Sequence, residues 1–293
     1  ETSHFRLTLA QAFNSLGTTL APYLASSVML VGGMFAVQEG GAVTALQRAV
    51  SLRHIDFAFL VIGGLIAVLA LFIWSVRERL TRATPVAAPH GRAALREALR
   101  SRWALLGAMA IFLYVGAEVS IGSTMTNFLH REDVFGVALE RAGKLLSLYW
   151  GGAMVGRFIG SALLRRVRAG LLLAVAAATA AILCLTVSQM PSAAAGWAAL
   201  SIGLFNSIMF PVIFTLTLER STASDAATSG LLCMAIVGGA VLPLIVGHVA
   251  DQAGLRAAYA VPMLAYACIS AFGFAALRAR HAGLVAALPG AGD

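Results

Sequence analysis

Fifty consecutive residues, Ala169 to Leu218, contain no Asp, Glu, Lys or Arg. A helix needs about 20 apolar residues to cross the hydrocarbon of a bilayer. The run therefore holds two crossings, with Gln189-Met190-Pro191-Ser192 near its middle as the turn. A soluble domain rarely tolerates such a stretch. The rest of the chain agrees, with 59% hydrophobic and only 12% charged residues, against roughly 25% charged in soluble domains. Most of the protein is expected to lie in a lipid bilayer.

Eight apolar segments can be drawn, at about 7–32, 55–76, 104–129, 143–164, 170–190, 196–218, 229–249 and 258–277. The runs are continuously apolar rather than alternating, which predicts helices and not barrel strands. The expected fold class is an all-α integral membrane protein with about eight transmembrane helices. Alternate assignment of the loops places fourteen arginines on the side of Arg6 and six basic residues on the other, with Arg157 inside a segment. The excess marks the cytoplasmic side, so both ends are expected there. The net charge of +8 sits between apolar runs and forms no continuous patch, which argues against nucleic acid as a partner. Cys184, Cys233 and Cys268 fall in apolar segments without a disulfide or metal pattern, and the six histidines are scattered. No metal site and no cofactor are expected. The first residue is Glu1, and no signal-peptide pattern follows it. The chain is read as a fragment or processed product.

The connection 78–102 is rich in arginine, with Pro85 and Pro89, and reads as a cytoplasmic linker with a short surface helix at 92–101. It divides two helices (1–77) from six (103–293). An internal echo accompanies that division. Gly17 precedes Pro22 by five residues, as Gly238 precedes Pro243, each pair in the next-to-last segment of its block. Transporters often consist of two related halves. Coincidence is the alternative, since Gly and Pro are common in membrane helices.

Several stretches carry a family resemblance. Phe5-Arg6-Leu7-Thr8-Leu9-Ala10-Gln11-Ala12-Phe13-Asn14-Ser15-Leu16-Gly17-Thr18-Thr19 resembles the fifth helix of the fucose–proton symporter family of the major facilitator superfamily. Glu118-Val119-Ser120-Ile121-Gly122-Ser123 resembles the seventh helix of its glucose/galactose-transporter branch. Ser147 to Ser161 resembles the eighth, Phe205 to Pro211 the tenth and Ser229 to Gly239 the eleventh. The resemblance covers nearly the whole chain in order. It implies a twelve-helix sugar transporter of the bacterial inner (plasma) membrane, of which this chain is a major-facilitator-type partial bundle without helices one to four. It implies a sugar substrate and a coupling proton or other cation. The family's proton-coupling carboxylates lie in its first and fourth helices, which are not in this chain.

Candidate site residues follow. Glu118 stands near the centre of its segment, where a carboxylate costs several kcal/mol unless paired, hydrated or protonated. It is a substrate- or proton-handling candidate, with helix packing as the alternative. Asn127 is a second substrate-binding candidate on the segment, although Glu118, Ser120, Ser123 and Asn127 spread over more than one helical face, so not all can line one cavity. Gln11 and Asn14 share a face, and the resemblance places them at sugar-contacting positions of the fifth helix; an interhelical amide bond is the other reading. Asn206 has the same chemistry, with Pro211 five residues on to loosen the helix. Gly152, Gly156 and Gly160 form a small-residue ridge suited to close helix packing. Arg157 is read as snorkelling or forming an ion pair at a gate, and Pro22 and Pro243 as gating or packing positions. Tyr149 and Trp150 suit either an interfacial position or stacking on a sugar. Two rival functions stay open. One is a structural remnant that does not transport. The other is an integral-membrane enzyme, which needs a nucleophile, metal cluster or similar motif that the sequence does not display.

Overall fold

The computed structural model describes the main chain of residues 2–30, 44–81 and 91–279, and the side chains of 15–30, 44–78 and 91–279. Gln11 and Asn14 are in a helix, but their side chains lie outside the described residues, as do residues 82–90 of the linker and those after Ala279. Twelve helices run along the described chain: α1 (Thr2–Met29), α2 (Ala45–Thr81), α3 (Arg92–Arg100), α4 (Arg102–His130), α5 (Leu139–Leu163), α6 (Ala169–Gln189), α7 (Ala193–Asn206), α8 (Met209–Arg220), α9 (Asp225–Ala235), α10 (Gly238–Ala253), α11 (Leu255–Ala258) and α12 (Ala260–Arg278).

Six segments among the described residues are long and apolar enough to span a bilayer: α2, α4, α6, α7 with α8, α9 with α10, and α11 with α12. Helices α1 and α5, with 28 and 25 residues, exceed the length needed. The eight expected segments overlap these eight, with residues 31–32 of the first outside the described residues, and the short helix expected at 92–101 is α3.

Three of the spans are broken, each within two helical turns of a proline. A proline has no N–H, so the carbonyl four residues earlier loses its helical partner. Pro211 withdraws the donor from Ser207, and α7 gives way to α8 at residues 207–208. Pro262 does the same to Ala258, the last residue of α11. Pro243 withdraws it from Gly239, just past the break at Ile236–Val237, where i→i−3 bonds such as Val237 N–H to Met234 O (3.2 Å) tighten the chain. Pro22, by contrast, sits inside an uninterrupted α1. The two Gly–Pro echoes thus have different local shapes.

Helix α4 is the centre of the bundle, touching α5, α7, α8, α9, α10 and α12. Its buried face runs from Ala104 to Leu129 and includes Ile111, Tyr114, Ile121, Met125 and Phe128. In lipid, helix association depends on close packing rather than on water exclusion, and small residues supply it. Gly203 of α7 lies against the Tyr149 main chain of α5, and Gly238 of α10 against the Phe112 main chain of α4; neither place has room for a Cβ. Helices α6 and α12 pack through Gly170 and Gly273, and Ser270 Oγ donates to Ala174 O at 2.9 Å. Helix α1 packs along α5, with Thr19 against Gly151 and Ser26 against Gly143. The Lys144 ammonium lies over the Tyr23 ring at 5.6 Å. Helix α2 leaves its apolar side chains exposed around its circumference, Leu65, Ile66, Leu71 and Phe72 among them, as suits a helix in lipid.

The ends are fastened by polar contacts. Ser101 caps α4 and Ser224 caps α9, each accepting from a main-chain N–H at 3.4 Å. The Glu97 carboxylate of α3 accepts from Ser224 N–H at 2.6 Å and from its hydroxyl at 3.2 Å, tying the linker helix to the start of α9. At the opposite end Asp133 pairs with Arg131 (2.8 Å) and with Arg256. Arg220, one of the fourteen arginines assigned to the side of Arg6, is 6% exposed. It reaches from α8 to the Ala276 carbonyl of α12 at 2.9 Å.

Candidate functional site

Glu118 and Tyr114 are one turn apart on α4, so they share a face. The Tyr114 hydroxyl donates to a Glu118 carboxylate oxygen at 2.8 Å. A second acceptor, the main-chain oxygen of Asn206, lies 3.1 Å from the same hydroxyl. Asn206 is the last residue of α7, at the break that precedes Pro211, so its carbonyl belongs to the set a helix end leaves unpaired. Its side-chain Nδ2 donates to the Tyr149 hydroxyl at 2.8 Å. The Tyr149 hydroxyl in turn donates to the Glu118 main-chain oxygen at 3.3 Å. A closed polar ring thus joins α4, α5 and α7. Glu118 and Asn206 stand near the middle of the spans 102–130 and 193–220, and Tyr149 near the middle of α5.

Asn206, Tyr149 and Tyr266 are fully buried and Tyr114 is 3% exposed, while Glu118 is half-buried and forms the open edge of the ring. Tyr266 of α12 lies close enough to Asn206 and Glu118 to interact with both. Asn206 Oδ1 and the Tyr266 hydroxyl are buried, and neither makes a well-aligned hydrogen bond among the described residues, although the two side chains lie within reach of each other.

Arg157 of α5 is half-buried. Its guanidinium donates to Ser15 Oγ of α1 and is close enough to Glu118 and Tyr114 to act electrostatically on both. The Gly152, Gly156 and Gly160 ridge faces Leu204, Ser207 and Ile208, so it lies directly behind the break that holds Asn206. Tyr149 is interior, not interfacial, and Trp150 stands edge-on to it with ring centroids 5.1 Å apart.

Glu118, Asn206 and Arg157 are thus brought together. Asn127 is not: it is exposed near the end of α4. Nine residues at 100° each turn it half a revolution away from Glu118, about 13 Å along the axis. Pro22 is in α1 and Pro243 in α10. Tyr114 and Tyr266 were not among the sequence candidates. The signal for Tyr114 was present, four residues before an intramembrane carboxylate; nothing local singles out Tyr266. An amide, three phenols and a carboxylate provide donors and acceptors in several directions, the chemistry a polyhydroxylated ligand requires.

Comparison with known proteins gives the following. Residues 3–232 match the Major Facilitator Superfamily. The chain is 41% identical over 273 residues to a glucose/galactose transporter of Brucella abortus, covering 93% of this chain and 63% of that protein. It is 34% identical over 266 residues to a putative glucose/galactose transporter of Helicobacter pylori, covering 89% and 63%. The chain thus spans less than two thirds of the length of these relatives. The crystal structure of the Escherichia coli fucose:proton symporter FucP is similar with a TM-score of 0.66 at 26% identity, covering 93% of this chain and 68% of that one.

Proposed function

Because the chain belongs to the Major Facilitator Superfamily, we propose that its full-length gene product is a secondary transporter of a hexose or related sugar, coupled to a proton or another cation. Transport proceeds by alternating access, one bundle rocking against the other around a midplane site. Residues 1–77 are the last two helices of the first half, 78–102 a cytoplasmic linker and 103–293 the six-helix second half. The protein lies in the bacterial inner membrane with both ends of this chain cytoplasmic, as the arginine distribution favours. No covalent chemistry is assigned to it.

The observation that carries this reading is the buried ring of Glu118, Tyr114, Asn206 and Tyr149. Relatives named as glucose/galactose transporters and a structural neighbour named as a fucose:proton symporter supply the substrate class. Glu118 and Asn206 contact sugar from the second half, and Gln11 and Asn14 from the first. Asn127 contacts sugar, if at all, only nearer the end of α4, away from the ring. Arg157 fastens the α1–α5 seam, the glycine ridge holds α5 against α7, and Pro22 and Pro243 shape their helices.

Glu118→Gln separates the roles of the carboxylate, because it keeps size and hydrogen-bonding capacity but removes titration. Sugar contact predicts that cation-driven accumulation and downhill exchange weaken together. Loss of accumulation with exchange retained assigns Glu118 to the coupling ion. Normal accumulation and exchange at normal expression remove it from the site. Calorimetry on Gln11→Ala and Asn14→Ala tests the other half: sugar affinity falls while thermal stability holds, and unchanged affinity in both makes them packing residues.

A further inference from the structure

The Tyr114 hydroxyl has one proton and two acceptors. One is the Glu118 carboxylate oxygen at 2.8 Å, and the other is the main-chain oxygen of Asn206 at 3.1 Å. A single O–H cannot serve both fully. When Glu118 is ionised it accepts only, and a charge-assisted bond outcompetes a neutral one. The Tyr114 proton then points to Glu118, and the Asn206 carbonyl goes without it. When Glu118 takes up a proton, the new O–H donates to the Tyr114 oxygen. The tyrosine hydroxyl rotates, without breaking any covalent bond, and donates to Asn206 O. That oxygen sits at the α7–α8 break, where Pro211 has already removed a main-chain donor from the neighbouring Ser207 carbonyl.

We propose that Tyr114 is a positioning residue that couples the protonation of Glu118 to the geometry of the α7–α8 break, through exchange of its one hydroxyl proton between two acceptors. This deepens the transport reading by giving the site a conformational output. The device itself needs no sugar.

Few other groups can drive it. Among the described residues, the charged and titratable side chains facing Glu118 are Tyr114 on its own helix, Arg157 and Tyr149 on α5 and Tyr266 on α12. Helix α7 adds only the uncharged Asn206. On α8, α9 and α10, Glu219, Arg220, Asp225, His248 and Asp251 stand at or near helix ends, and Cys233 is exposed.

The test uses the full-length gene product with Cys233 and Cys268 replaced by Ser, without sugar. Spin labels at the exposed positions Ser201 and Thr215 flank the break, about 20 Å apart along an unbroken helix. Pulsed electron resonance reads their distance while infrared difference spectroscopy follows the Glu118 carboxyl through a pH titration. The ratio of two distance populations is expected to change about tenfold as Glu118 protonates, which is about 1.4 kcal/mol. In Tyr114→Phe the carboxyl still titrates but the distances no longer follow it. In Glu118→Gln the distribution is fixed at every pH. The proposal is overturned if Tyr114→Phe follows pH as the parent does, or if the parent shows one unchanging population. If Tyr114→Phe does not fold, Glu118→Gln decides: a distribution that still follows pH overturns it, and a fixed one upholds it. Sugar transport plays no part in the readout, so failure of the transport reading is a separate result.

Discussion

Tyr149→Phe removes one oxygen and little volume, yet the structure assigns it a measurable cost. The Tyr149 hydroxyl is the acceptor for Asn206 Nδ2 at 2.8 Å, and Asn206 Oδ1 makes no well-aligned hydrogen bond among the described residues. Without the hydroxyl, the Asn206 amide loses its one well-aligned side-chain hydrogen bond at a site with no exposure, and only the Tyr266 side chain stays within reach. Leaving a buried polar group unsatisfied costs about 1–3 kcal/mol, whereas interhelical hydrogen bonds in membrane proteins average about 0.6 and reach about 1.7. The long 3.3 Å contact to Glu118 O adds little. A loss of about 1–2 kcal/mol is expected. Asn206→Leu in the same background removes the amide, so the double variant should be more stable than Tyr149→Phe alone. The assay is reversible unfolding in mixed micelles for the parent, both single variants and the double variant, read as a double-mutant cycle. Parental stability in Tyr149→Phe, or strictly additive losses in the double variant, would refute the argument.

Two further outcomes follow from the packing and the surface charges. Gly203→Ala places a methyl group against the Tyr149 main chain and should cost about 1–3 kcal/mol by prising α7 from α5, seen as a lower unfolding midpoint; an unchanged midpoint contradicts the close approach. Asp133→Ala releases both Arg131 and Arg256. It should cost about 1 kcal/mol or less per pair, with a smaller effect at high salt, and a salt-independent loss would point to packing instead.

The spans were legible because lipid imposes a simple rule, about 20 apolar residues per crossing. Six of the expected segments overlap helices long and apolar enough to span, and the other two overlap α1 and α5, which are long enough. The breaks were written less plainly. Pro211, Pro243 and Pro262 mark them, but Pro22 carries the same chemistry inside an unbroken helix, so proline alone does not decide. Glu118 and Asn206 stood out because amides and carboxylates are costly at membrane depth. Tyr149 did not, since a tyrosine in an apolar run suits the interface as well as the interior, and only packing against Gly203 shows which. Asn127 illustrates the opposite limit: its side chain suits a sugar, but its angular position sets it half a turn from Glu118. Arg220 counted only toward the arginine excess on the side of Arg6, because its acceptor is a main-chain carbonyl on α12, and no side-chain pattern records that.

The central claim is that a midplane ring built on Glu118 and Asn206 serves sugar transport. Counterflow in proteoliposomes tests it most directly, using the full-length gene product and radiolabelled D-glucose, D-galactose and L-fucose in turn. The account predicts saturable counterflow of at least one of the three, and a loss of about tenfold or more in Asn206→Leu, since a site built to hydrogen-bond a hydroxyl suffers when a polar partner is removed. Folded protein that exchanges none of the three sugars, or exchanges one equally well without the Asn206 amide, would contradict it.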